Sequence, residues 1–151
     1  MIIFQPTYTF KKIASVDFDA LGSVFNQLFI EVTGYERNRV IKLGVTKTNS
    51  YAYINEGKIT IAKQACQDTK LLFEHLIHEF RHWIQHIHFK VKFGADSSDF
   101  AKYYNSPHEK DARKFEKLTD AAFKLYENLI SIKQLIKTNE LWYYNEQEEN
   151  V

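Results

Sequence analysis

His78-Glu79-Phe80-Arg81-His82 sets two imidazoles four positions apart, with a carboxylate directly after the first. On a helix, residues four apart stand one turn above each other on the same face. The two rings can therefore each aim a nitrogen at one ion, and roughly 2.0–2.1 Å is the bond that zinc makes to imidazole. Glu79 flanks that stripe. From there its carboxylate cannot easily join the two histidines, but it can reach a water at an open position of the metal and take its proton. These residue types at this spacing suit metal-assisted hydrolysis, with Zn2+ as the expected cofactor, His78 and His82 as ligands and Glu79 as the catalytic base.

The segment that must carry them has a helical period. Leu72, Phe73, Leu76, Ile77, Phe80, Trp83, Ile84 and Ile87 fall on one apolar face, and Glu74, Arg81, Gln85 and His88 on the opposite side, which is expected to face water. His78 and His82 lie off the apolar face, where another element can cover them. His75 and His86 extend the histidine stripe by one turn at each end. Second partners and competing ligands are the alternatives, but since the motif already supplies two ligands, both are expected to be plain exposed histidines.

The helix is expected to begin at Asp68 or Thr69 and run to about Phe89, roughly 20 residues or about 30 Å. Before it, residues 40–46 and 51–62 have the β-branched and aromatic content of strands. They are broken at Asn49-Ser50 and at Asn55-Glu56-Gly57-Lys58, giving two or three antiparallel strands of which Ile59-Thr60-Ile61-Ala62 leads through 63–68 into the helix. Residues 17–32 read as a first helix, with Ser15 available as its cap and Gly34 as its stop, and residues 2–10 as a strand or extended arm. Residues 95–105 read as a loop. Ser106-Pro107-His108-Glu109 then has the form of a capping box, opening a long helix or two consecutive ones through Phe115, Leu118, Ala122, Leu125, Leu129, Ile132 and Ile136. Residues 145–151 are polar and acidic and are expected to fray. The expected fold class is α+β: a small antiparallel sheet packed with the histidine helix, which crosses beneath it, and with a following long helix.

The 151 residues, 44% hydrophobic and 15% aromatic, suit one domain spanning 1–151. A net charge of +1 supplies no large basic field, and Lys63, Lys90, Lys92 and Lys102 form no continuous stripe, so no nucleic-acid partner is expected. No apolar run approaches the roughly 20 residues of a membrane span, and the apolar patch at the start is too short for a signal region. The single Cys66 cannot form an internal disulfide, and with no motif around it a structural role is expected. These features together fit a soluble protein of a reducing, cytoplasmic compartment.

A catalytic zinc usually takes three protein ligands and a water, so a further His, Glu or Asp must arrive from elsewhere. Asp96, Asp99, His108, Glu109 and Asp111 are the downstream candidates. His-Glu-Phe-Arg-His-Trp-Ile-Gln followed by Ser-Pro-His-Glu-Lys-Asp-Ala-Arg-Lys-Phe-Glu resembles the small gluzincin-type, minigluzincin-like zinc metallopeptidases. Their third ligand is a Glu in a Glu-x-x-Ala element that opens the next helix. The match falls on Glu109 and Ala112, with Phe115 following, and covers residues 51–116. Phe80-Arg81 stands where relatives that cleave repressors often have Leu-Gly.

The resemblance implies a zincin-like fold and a zinc-dependent endopeptidase. His78, His82 and Glu109 would hold the metal, Glu79 would take the water proton and return it to the leaving amine, and Tyr103, Tyr104 or a histidine of the stripe would donate to the oxyanion. The substrate would be a peptide or unfolded protein segment laid along Ile59, Thr60 and Ile61 as on a free strand edge. The alternative is a catalytically silent scaffold that docks a protein partner on that edge or near Trp142-Tyr143-Tyr144. A retained Glu79 argues against it, because binding a metal needs no base there.

Overall fold

The computed structural model describes the backbone of residues 1–53, 57–91 and 100–149, and the side chains of the same residues other than 100 and 140–149. The chain opens with strand β1 (Ile2–Pro6), ended by its proline. The Thr7 side chain then accepts the Phe10 N–H at 3.2 Å and caps a short helix, α1 (Tyr8–Ile13), which is too brief to show a period in the sequence. Helix α2 (Phe18–Thr33) is capped by Asp17, whose Oδ1 accepts the Ala20 N–H at 2.9 Å, rather than by Ser15. It stops at Gly34, whose φ of 75° is a left-handed conformation that costs a glycine little. Gly22 lets α2 lie close on β1, since a Cβ there would meet the Ile2 carbonyl at 3.0 Å.

Strands β2 (Arg39–Thr46), β3 (Tyr51–Tyr53) and β4 (Lys58–Ala62) complete a four-stranded sheet in the order β1-β2-β4-β3. The expected antiparallel sheet is corrected. β1, β2 and β4 are mutually parallel, and only β3 runs against β4. The connections give the reason. Two helices carry the chain from β1 back to the start of β2, as a parallel pair requires, while β3 turns back so that β4 inserts between it and β2.

The inner face of the sheet is a set of alternate positions, Ile2, Phe4, Ile41, Leu43, Ile59 and Ile61, all buried. Helix α3 (Lys63–Cys66) makes one helical turn in the stretch that leads from β4 into the histidine helix, and Cys66 is buried in it. Helix α4 (Thr69–Ile87) follows, capped by Asp68 through the Leu71 N–H, and packs under β3 and β4. Phe25 of α2 sits at the junction. Its ring lies 5.2 Å from Phe4, 5.0 Å from Phe80 and 6.0 Å from Phe73, two of them edge to face. Phe25→Ala is expected to cost about 3–5 kcal/mol in denaturant unfolding through the cavity it opens.

Beyond α4, residues 92–99 lie outside the described part, including the candidate ligands Asp96 and Asp99. Phe100–Tyr104, read as loop, is a short helix, α5. Helix α6 (Pro107–Phe115) has proline at its start, and a 3-10 turn (Glu116–Leu118) separates it from α7 (Thr119–Glu149), so the long helical run is two helices. α7 also continues into the stretch expected to fray. Its first turns pack on α4 and α2, with Phe123 and Tyr126 against Phe73 at 5.5 and 5.2 Å and the Tyr126 hydroxyl accepting the Asp17 N–H at 2.9 Å. Among the described residues, no helix is long and apolar enough to cross a membrane.

Cys66 is 2% exposed, and burial pushes its thiol up to about 11. An Ellman-type reagent at pH 8 is therefore expected to leave the folded chain untouched and to titrate the thiol only on unfolding.

Candidate metal centre

α4 puts His78 and His82 one turn apart, and α6 crosses over them, covering the pair that the helical wheel left off the core face. Ala112 is fully buried at this crossing, and a methyl side chain there permits the close approach. Glu109, three residues before Ala112, points down onto the histidines. Its Oε1 is 2.8 Å from His78 Nε2, its Oε2 is 2.8 Å from His82 Nε2, and the two Nε2 atoms are 3.2 Å apart.

The capping box expected at this helix start does not form. Ser106 makes no side-chain cap and its hydroxyl donates to the Tyr103 carbonyl at 2.6 Å. Glu109 is drawn to the imidazoles instead of back to the Ser106 N–H.

The surroundings fix which ring nitrogens face inward. His78 Nδ1 is 3.0 Å from Glu116 Oε2, an acceptor, so Nδ1 donates there and Nε2 is the nitrogen turned toward Glu109. His82 Nδ1 is 2.9 Å from Gln85 Oε1. The amide group of Gln85 is committed as a donor, to the His108 carbonyl at 2.9 Å and to Asp111 Oδ2 at 2.7 Å, so its oxygen can only accept and His82 is oriented in the same way. Arg81 completes the clamp between α4 and α6. Its Nε donates to Asp111 Oδ2 at 2.7 Å and its guanidinium lies 4.9 Å from the Phe115 ring and 5.6 Å from Phe89.

Arg81 and Gln85 were expected to face water. Gln85 is 4% exposed, and both are enclosed because α6 lies on that side of α4. Nothing in their spacing along α4 signals this. The matching acceptors, Asp111 and the His108 carbonyl, are encoded 23 to 30 residues away.

The donor set suits a divalent cation. Two imidazole nitrogens and a carboxylate converge, the three ligand atoms lying within 4.8 Å of one another. Ligand atoms around a tetrahedral zinc stand roughly 3.3 Å apart for bonds of 2.0–2.1 Å. The separations of 2.8–3.2 Å here fall a few tenths of an ångström inside that. Electrostatics agree with the crowding. Burial disfavours charge on His78, but Glu109, Glu79 and Glu116 outweigh it and push the ring up to about 9. Burial would likewise raise Glu109, yet the two histidines hold it well below the usual carboxylate range.

Glu79 is 7% exposed. Burial and the nearby Glu109 charge raise its carboxyl to about 7 against the opposing pull of His82, His78 and a hydrogen bond from the Ala52 backbone. It therefore faces β3. Tyr103 faces the same space, and its phenol is held far above its ordinary value by burial and by the charges and hydrogen bond of Glu109, with Glu79 and Tyr51 adding to it. Tyr104, the other tyrosine named from sequence, is instead exposed and stacks on Arg113 at 3.6 Å.

The other candidates take different roles. Asp111 serves Arg81 and Gln85, and the His108 carbonyl serves Gln85, while its ring packs 5.8 Å from that of His82. His75, expected to be plainly exposed, is half-buried and its Nδ1 lies 2.8 Å from Ser50 Oγ, which also accepts the Ala62 N–H and so ties α4 to the sheet. His86 is half-buried as well.

The substrate edge assigned to Ile59, Thr60 and Ile61 is also corrected. β4 has a strand on each side, and these three residues are buried. The strand that ends the sheet beside Glu79 is β3. Trp142, Tyr143 and Tyr144 lie outside the described side chains. Compared with family models, with curated proteins and with solved structures, the chain matches none, so any functional reading stands on this arrangement of His78, His82, Glu109, Glu79 and Tyr103.

Proposed function

We propose that the chain is a zinc-dependent endopeptidase acting on peptides or unfolded protein segments. The observation that carries this reading is the convergence of His78, His82 and Glu109 with a buried fourth group, Glu79, aimed beside them rather than into them. A zinc ion held by the three would act as a Lewis acid, making a water far more acidic and polarising a substrate carbonyl. Glu79 accepts the proton released by the attacking water and hands it to the departing amine, a task that a carboxyl poised near neutrality suits. Tyr103, whose phenol stays protonated between two carboxylates, donates a hydrogen bond to the oxygen on which negative charge develops. Glu116 and Gln85 keep the two rings turned so that each Nε2 faces inward.

β3 offers the substrate a main-chain edge. Its residues Tyr51 and Tyr53 are exposed, their rings 4.9 Å apart, and the Ala52 N–H already reaches the Glu79 carboxyl, so an extended peptide paired with β3 would lie beside the base.

The test is an assay of zinc-loaded protein on an unfolded protein such as reduced casein, reading new amino termini. Cleavage that a chelator stops and zinc restores is the expected result. Cleavage that proceeds unchanged in chelator would remove the metal from the mechanism. No cleavage of any member of a broad peptide library would favour a scaffold that binds without hydrolysing.

A further inference from the structure

The face of the sheet turned away from α4 carries two aromatic rings at its edge, beside Glu79. Tyr51 and Tyr53 alternate with the buried Ala52 on β3 and are 54% and 43% exposed, their rings edge to face at 4.9 Å. The neighbouring side chains on β4 leave these rings uncovered. Thr60, opposite Tyr51, is short, and Lys58, opposite Tyr53, runs the other way, over Gly44, where a Cβ would meet its Cε at 3.0 Å. Among the described residues β3 has a strand on one side only, and none of its three residues is charged or a proline, the usual means of keeping another strand off an edge. Tyr51 also stands near enough to the metal centre to act on the Tyr103 phenol.

We propose that Tyr51 and Tyr53 select the substrate, an extended segment with aromatic or β-branched side chains at two positions separated by one residue. This rests on the peptidase reading above and assigns its substrate class. Ala52 sets the register, because its N–H is held by the Glu79 carboxyl. A substrate residue across from Ala52 lies next to the base and turns its side chain inward. The residues before and after it turn theirs outward, since side chains alternate in a strand of either direction. There they meet Tyr51 and Tyr53 as cross-strand neighbours, a setting in which rings and branched side chains pair well. A glycine at either position forgoes that contact.

Zinc-loaded wild type is given a randomised peptide library and the products are sequenced, so that the cut bond fixes the register of each substrate. Aromatic and β-branched residues are expected to be enriched about 2- to 10-fold at two positions with one between them. Tyr51→Thr should remove one of these preferences and Tyr53→Thr the other, threonine keeping the strand propensity of β3. Docking is read separately on zinc-loaded Glu79→Gln, which keeps the edge and loses the base. By fluorescence anisotropy, a labelled peptide with two phenylalanines one residue apart should bind it more tightly than the same peptide with alanine at both positions. Adding Tyr51→Thr or Tyr53→Thr to Glu79→Gln should narrow that gap. Cutting without the spaced preference, or with a preference that both tyrosine variants leave intact, would overturn the proposal while the peptidase reading stands. Tyrosine-dependent binding with no cutting by the wild type would uphold the pair as a docking site and overturn the peptidase reading. Neither cutting nor such binding would overturn both.

Discussion

Glu79→Gln is expected to slow peptide hydrolysis by about 10²–10⁴-fold, the usual contribution of a positioned general base, while zinc content and thermal stability stay at the wild-type level. Gln has the same length, and its amide oxygen can still accept the Ala52 N–H that the Glu79 carboxyl accepts, so the close contact between α4 and β3 persists. What is lost is the ability to take a proton. The loss should fall on kcat with KM little changed, because the side chain acts in the chemical step and not in holding substrate. An equal fall in zinc content would mean that Glu79 is a ligand. Wild-type rates would mean that another group moves the proton.

Tyr103→Phe is expected to lower kcat by about 10²–10³-fold, the cost of removing one oxyanion donor. Only the hydroxyl goes, and the ring keeps its place between α5 and the metal centre. Tyr103 also hydrogen-bonds Glu109, so a structural role has its own signature: weakened zinc retention with the remaining activity proportional to bound metal. Retained zinc with lost turnover assigns the phenol to the reaction. Tyr104→Phe serves as the control, since that side chain stacks on Arg113 at the surface, and it should change neither quantity.

The parts of the site that share one helix are legible in the sequence, because a fixed helical period turns spacing into geometry. His78, Glu79 and His82 stand as their separations require, with α4 running from its Asp68 cap. Glu109 is reached from sequence only through resemblance to a peptidase motif, since a Glu at the third position of a helix has an equally ordinary use as a cap. What escapes a one-dimensional reading is whatever depends on two distant segments meeting. Gln85 and Arg81 look like surface residues until α6 is laid over them, and their partners Asp111 and the His108 carbonyl then explain why both are enclosed. Sheet order escapes for the same reason. Strand propensity locates β2, β3 and β4 closely, yet nothing in it states that β4 lies between the other two, and that alone moves the free sheet edge from Ile59-Thr60-Ile61 to Tyr51-Ala52-Tyr53. α1 is missed because six residues are too few for a period to show.

The central claim is that His78, His82 and Glu109 form one metal site, and elemental analysis tests it most directly. Wild-type chain and His82→Ala chain are each equilibrated with excess zinc, desalted and measured, with Cys66→Ser as the control for adventitious thiol binding. Roughly one zinc per chain in the wild type and in Cys66→Ser, and almost none in His82→Ala, is the predicted result, because a site with two of three ligands does not survive desalting. Zinc retained undiminished by His82→Ala, or failing to bind the wild type at all, would contradict it.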